Sequence, residues 1–201
     1  MARPPTIETD TALRLVLNVG SVRLTGDQFF QLCRDNRELF FEMTARGELL
    51  IMSPNMPESD RKNAIITMRL GIWSKQDGTG ECFGATAIFT LPNGAKRSPD
   101  GAWIPKTRWK HATKEERDRF HRICPDFVIE LRSISDRVRD IQEKMEEYIA
   151  NGAKLGWLLD PIDNRATIYR PGEAPQRIDR PGILTGDPVL PGFQFDFAEI
   201  L

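Results

Sequence analysis

At 201 residues, with 40% hydrophobic and 28% charged side chains, the chain has the make-up of one soluble globular domain rather than a disordered or fibrous protein. A chain of this size buries about 70% of its unfolded surface and needs neither disulfides nor a metal in order to fold. Twenty-eight basic residues against 29 acidic ones leave a net charge of -1. There is no global basic field, so contact with nucleic acid would have to rest on a local patch.

Residues 1–20 read as an N-terminal arm. Met1 to Asp10 lacks the apolar centre of a signal peptide, and no apolar run reaches membrane-spanning length. Cys33, Cys82 and Cys124 lie far apart with no C-x-x-C pair, which suits free thiols in a reducing compartment and a cytoplasmic location. Thr25 to Gln28 fits a T-x-x-Q capping box opening a short helix that buries Phe29, Leu32 and Cys33. Leu39 to Met52 reads as a hairpin around Ala45-Arg46-Gly47, with Phe40, Glu42 and Thr44 on one face of its first strand. Pro54 and Pro57 break that pattern, and Ile65, Met68, Ile72 and Trp73 then recur at helical spacing.

Glu81 to Leu91 alternates like a strand and ends at the Leu91-Pro92-Asn93-Gly94 turn. Ser98 to Ile104 predicts a short strand. Residues 105–122 are highly charged and aperiodic, an exposed loop or short helix. Pro125 to Leu131 reads as a central strand, with Phe127, Ile129 and Leu131 on one face and Val128, Glu130 and Arg132 on the other. Ser133 to Asp136 offers N-cap chemistry for a helix running to Asn151-Gly152, with a stripe of Val138, Ile141, Met145, Tyr148 and Ile149. Strands are expected near Lys154–Leu159 and Ala166–Tyr169, then a proline-rich end through Phe193, Phe195 and Phe197. The order predicts an α/β fold, a mixed central β-sheet flanked by α-helices.

G-x-S-x-G, H-E-x-x-H, Walker A and G-x-G-x-x-G are all missing from the sequence. The two histidines, His111 and His121, fit solvated loop positions better than a zinc site or a triad. The remaining chemistry lies in carboxylates. Asp100 opens a strand, and Glu130 closes an apolar strand where an acid is costly to bury unless paired or metal-bound. Converging at one end of a sheet, the two would suit Mg(II) or Mn(II); the competing reading puts both on solvent-facing positions. Asp136, Asp140 and Lys144 follow at i, i+4 and i+8. Lys144 either reaches inward over the apolar stripe or forms a surface pair with Asp140 worth about 0.3–0.5 kcal/mol. Glu42 interrupts an apolar strand and is either a further site acid or a residue on the wet face of a hairpin.

The run Ser98-Pro99-Asp100-Gly101-Ala102-Trp103, followed by Cys124-Pro125-Asp126-Phe127-Val128-Ile129-Glu130-Leu131-Arg132-Ser133, resembles the PD-(D/E)XK nuclease superfamily. The fuller likeness is to its Uma-two branch of restriction endonucleases. Asp136, Asp140, Lys144 and Tyr148, Gly156 to Pro161, Glu42 with Gly47 to Leu49, and Leu190 to Phe193 extend it, so that it covers residues 21–201 as one nuclease-like domain. The resemblance implies a restriction-endonuclease-like core hydrolysing phosphodiester bonds with magnesium or manganese. Asp100 and Glu130 would be metal ligands, with the Leu131 carbonyl beside them and Glu42 as an accessory acid.

At the E-x-K lysine position this chain carries Arg132, which does not readily deprotonate. The family-like solution is a lysine moved onto the next helix, here Lys144. Competence therefore turns on whether Lys144 reaches Asp100 and Glu130, and Arg132 is left as a phosphate clamp. On this reading Lys144 positions a water and offsets charge. Arg132, Arg137 and Arg139 contact substrate, helped by the loop cations Lys106, Arg108, Lys110, Lys114, Arg117 and Arg119 unless that loop is simply solvated. Trp103 and Trp109 fit core packing or a rim better than base stacking. The implied partners are DNA, bound weakly given the charge balance, and a second copy of the chain as a homodimer. A rival reading is a catalytically eroded nuclease-fold module that works by binding nucleic acid or protein. A third is a metal hydrolase of small phosphoesters.

Overall fold

The computed structural model describes residues 14–52, 56–111, 113 and 122–201. In chain order the elements are β1 (Arg14–Asn18), α1 (Gly26–Asp35), β2 (Phe40–Met43), β3 (Glu48–Met52), α2 (Pro57–Asp77), β4 (Gly80–Gly84), β5 (Phe89–Thr90), β6 (Lys96–Arg97) and β7 (Gly101–Pro105). After them come α3 (Lys106–Trp109), β8 (Phe127–Leu131), α4 (Val138–Ala150), β9 (Leu155–Asp160), β10 (Arg165–Tyr169), β11 (Gln176–Asp179), β12 (Ile183–Thr185), β13 (Gln194–Asp196) and a closing 3-10 turn (Phe197–Ile200). The chain is mixed α/β, as its pattern predicts.

The main sheet has the order β11-β10-β9-β8-β7-β4, antiparallel throughout except for the parallel pair β8–β9. A parallel pair needs a crossover, and α4 supplies it. Strands β8 and β9 are buried on both faces, which is why they read as nearly continuous apolar runs. Phe127, Ile129, Leu131, Trp157 and Leu159 pack on Ile66 and Leu70 of α2 and on Phe193, Phe195 and Phe197. On the other face Val128 and Leu158 meet Ile141, Met145 and Tyr148 of α4. A second sheet, ordered β1-β3-β2-β6-β5, is antiparallel and carries the predicted hairpin. Helix α1 covers it through Phe29, which is fully buried with Phe41, Met43 and Leu49.

Local signals hold where a side chain closes the structure itself. The Thr25 hydroxyl accepts from the Gln28 N–H and the Gln28 side chain accepts from the Thr25 N–H, completing the box. Other expectations change. Residues 14–18, read as part of an arm, pair with β3 as an edge strand whose Leu15, Val16 and Leu17 remain exposed; so short a run has no alternation to betray it. Pro57 opens α2 instead of breaking the chain, because the first turn needs no N–H from it. On α2 the buried positions are Asn63, Ile66, Leu70 and Ser74, while Met68 and Ile72 are 48% exposed. The helix has apolar residues around most of its girth, so the facing sheet selects the phase.

The expected strand over Glu81–Leu91 divides at residues 85–88, placing β4 and β5 in different sheets. Ser98, Pro99 and Asp100 form an irregular link between β6 and β7. Helix α4 starts at Val138 without a side-chain cap. The Asp136 carboxylate accepts instead from the Ser133 N–H and hydroxyl, closing a separate turn. Within 105–122, α3 is formed; Lys114, Arg117, Arg119 and His121, like Pro54, lie outside the described residues.

Candidate active site

Register brings the two predicted carboxylates together. Gly101 pairs with Ile129 across β7 and β8, and one step further along the antiparallel ladder sets Asp100 against Glu130. Asp100 Oδ2 accepts from the Leu131 N–H at 2.8 Å and Oδ1 from Asn63 Nδ2 at 3.1 Å, so β8 and α2 hold it from two sides. Glu130 is only 6% exposed. Its carboxylate accepts from Lys144 Nζ at 2.8 and 3.0 Å, and from the Tyr148 hydroxyl at 3.0 Å. Lys144 and Tyr148 stand one turn apart on α4, so a single helix face delivers both.

Lys144 does not form the surface pair with Asp140 that spacing also allowed. Its ammonium lies 2.7 Å from Glu42 Oε1 and donates to the Ser98 carbonyl at 3.2 Å. Glu42, 2% exposed, is not on a wet face. It stands across β2–β6 from Arg97, one step beyond the Met43–Lys96 pair. Arg97 Nη1 donates to Glu42 Oε2 at 3.1 Å, the Ser98 N–H donates to Oε1 at 2.8 Å, and Arg97 Nε reaches Glu147 at 2.6 Å. The two sheets and two helices therefore meet in one buried network.

The electrostatics sort these groups by role. Burial pushes the Asp100 carboxyl up to about 6, against the Leu131 N–H and Lys144. Burial likewise raises Glu130 to about 8, aided by the charges of Asp100 and Glu42 and opposed by Lys144. Glu42 goes the other way. Burial works to raise it, but Lys144 and Arg97 together hold it below the ordinary carboxylate range. Lys144 is held above its usual value by Glu130 and Glu42 despite its burial, so it is an ammonium and not a free base. Burial and the Glu130 charge keep the Tyr148 phenol protonated.

Two cations, Lys144 and Arg97, face four carboxyl groups, Glu42, Asp100, Glu130 and Glu147, and the two that burial raises, Asp100 and Glu130, are those whose ionised forms a further cation would favour. Asn63 Oδ1, beside Asp100, is buried without a donor. Among the described residues, the side chains offered to a cation here are carboxylate and amide oxygens without thiolate or imidazole, the kind that suits Mg(II) or Mn(II). Among the described residues no three Asp, Glu, His or Cys side chains converge tightly enough to enclose an ion.

The arginines separate. Arg132 Nη1 donates to Asp160 at 2.7 Å and Asp163 at 3.1 Å, braced against the β9–β10 turn. One nitrogen of the guanidinium, Nη1, makes both contacts, and a contact of Arg132 with phosphate stays an expectation. Arg137 is exposed, and Arg139 is exposed with a rim pair to Glu143 at 2.9 Å. In the charged segment Lys106 donates to the Gly78 carbonyl and Arg108 pairs with Asp126. Trp103 is in the core and Trp109 packs edge-on against Phe83, as core packing predicts, and His111 is exposed. Sequence reasoning missed Asn63, Arg97 and Glu147. The available signals were slight: a polar residue on the buried phase of α2, an arginine just before Ser98-Pro99-Asp100, and an acid three residues after Lys144.

A mixed sheet with a parallel β8–β9 pair, a crossover helix and acids meeting at one end of the strands defines a nuclease fold. The crystal structure of a "putative nuclease belonging to DUF820" from Anabaena variabilis ATCC 29413 matches with a TM-score of 0.70 and 18% identity, covering 88% of this chain and 97% of that one. Over residues 27–198 the chain matches the Uma2 family, described as "Putative restriction endonuclease", and it belongs to that family. No curated protein matches it. Among the described residues no helix is long and apolar enough to cross a membrane.

Proposed function

We propose that this protein is a divalent-metal-dependent endonuclease that hydrolyses phosphodiester bonds in DNA. The observation that carries the reading is the position of Lys144: from α4 its ammonium reaches Glu130 at 2.8 Å, filling the role that Arg132 cannot. Asp100, Glu130 and the Leu131 carbonyl would hold Mg(II) or Mn(II), which when bound supplies acidification of a water and polarisation of a phosphoryl oxygen. Lys144 orients the attacking water by donating to it and offsets charge developing on the phosphoryl oxygens. Tyr148 holds the Glu130 carboxylate in place, and Asn63 with the Leu131 N–H orients Asp100. Arg137 and Arg139, on the exposed start of α4, take the phosphate contacts. One such site cuts one strand, so cleavage of a duplex calls for two copies of the chain. The free cysteines suit work in a reducing cytoplasm.

The test is nicking of supercoiled plasmid by wild type and Glu130→Ala, purified identically, with Mg(II), Mn(II) or excess EDTA. Metal-dependent nicking that the substitution removes is the expected result. Equal nicking by both proteins would overturn the site assignment. Absence of both nicking and metal uptake would leave a nuclease-fold module that acts by binding.

A further inference from the structure

Glu42 is the acid that this site does not need for a metal. Both of its oxygens are already committed, Oε1 to Lys144 at 2.7 Å and to the Ser98 N–H at 2.8 Å, and Oε2 to Arg97 at 3.1 Å. Two cations therefore compensate one buried carboxylate. Asp100, by contrast, is held only by neutral donors, the Leu131 N–H and Asn63.

Behind Glu42 the support continues. Arg97 is fixed by Glu147 at 2.6 Å, and Glu147 accepts from Asn93 Nδ2 at 2.9 Å. Asn93 in turn donates its backbone N–H to the Asn151 side chain at the end of α4. The chain of contacts ties β2, β6 and the turn at Asn93 to the helix that carries Lys144. A lysine stem has four rotatable bonds and does not stay at one point unless its ammonium is caged. Glu42, Glu130 and the Ser98 carbonyl make that cage.

We propose that Glu42, backed by Arg97 and Glu147, is a positioning residue that holds Lys144 in the site and is not a metal ligand, so that the site takes a single divalent ion. This rests on the metal-dependent reading above, but its first test needs neither activity nor metal. Metal-free wild type, Glu42→Gln, Arg97→Met and Arg97→Lys are labelled with an amine-specific reagent at one pH, and Lys144 modification is followed by mass spectrometry. Lys96 is the internal control. It is 5% exposed on the opposite face of β6, beside Phe29, and becomes reactive only if the sheet itself loosens.

The expected result is Lys144 labelling about tenfold faster in Glu42→Gln and Arg97→Met, with Lys96 unchanged and Arg97→Lys intermediate. Unchanged Lys144 labelling, or Lys144 and Lys96 rising together, overturns the positioning role. The second test is Mn(II) binding followed by electron paramagnetic resonance. One ion per chain in wild type, retained in Glu42→Gln with affinity within about threefold and lost in Glu130→Ala, supports the single-ion site. Two ions with one lost in Glu42→Gln overturn it. No uptake by wild type defeats the metal-dependent reading and the single-ion claim together, while the labelling result stands or falls by itself.

Discussion

Burial works to raise all three site carboxyls, and only Glu42 touches enough cations to overcome it. Glu42 has two and stays ionised, while Glu130 shares one with it and Asp100 has none in contact. The sign of the pH dependence follows. An acid whose folded value is raised binds its proton more tightly in the native state, so stability falls with rising pH between the unfolded and folded values. Metal-free protein is therefore expected to lose stability from about pH 4 to about 6 through Asp100 and on to about 8 through Glu130. Glu130→Gln should flatten the upper part of that slope, between pH 6 and 8. Thermal melts at fixed ionic strength in EDTA read both effects, and an unchanged slope in the variant would mean that another group titrates there. For Lys144→Met, nicking should fall roughly 10²–10³-fold, the usual cost of removing one preorganised donor from a developing oxyanion, with Mn(II) affinity little changed. Retention of full activity would remove Lys144 from the chemistry.

At the scale of elements, stability depends on contacts that a single methyl group can break. A Cβ built on Gly80 would sit 2.1 Å from the Trp103 ring, which is buried in the core with Trp73 against it. A rigid indole cannot retreat, so Gly80→Ala should cost about 1–3 kcal/mol or more, in the range of core overpacking. At Gly156 the nearest obstruction is the terminal methyl of Met145, at 2.4 Å. A thioether can swing aside, and Gly156→Ala should be the milder change. Urea melts of the two variants decide the point, and a reversed order would refute it. Thr25→Ala removes one half of a reciprocal cap and should cost about 1 kcal/mol.

Over the whole molecule, the site is a junction between two sheets. Glu130, Lys144 and Tyr148 belong to the main sheet and its crossover helix, Glu42 and Arg97 belong to the second sheet, and Asp100 lies in the link from β6 to β7. The Asp100 charge works against ionisation of Glu130, a cost that a cation bound between them would remove. At a Mn(II) concentration about a hundred times its Kd, stabilisation should approach about 2.7 kcal/mol, a rise in Tm of roughly 5–10 °C for a chain of this length. The rise should vanish in Asp100→Ala. A rise of equal size in that variant would place the ion elsewhere.

The sequence by itself determined what is local. The 2.0 period of β8 put Glu130 on the face opposite Phe127, Ile129 and Leu131, the capping box started α1, and the stripe on α4 told which residues the helix buries. It also marked Asp100, Glu130, Lys144 and Glu42 as candidates, partly by their residue types and partly by likeness to the Uma-two pattern. Only the tertiary structure decided between the alternatives that spacing left open. Lys144 turns inward, its ammonium held by the two buried carboxylates Glu42 and Glu130. Arg132 Nη1 pairs with Asp160 and Asp163, and α2 buries Asn63 instead of Met68 because the facing sheet chooses its phase. Arg97 and Glu147 stayed invisible because hydrogen bonds across 50 and 55 residues leave no period in the chain. Periodicity records the geometry of one element, whereas a buried ion network records how separate elements pack.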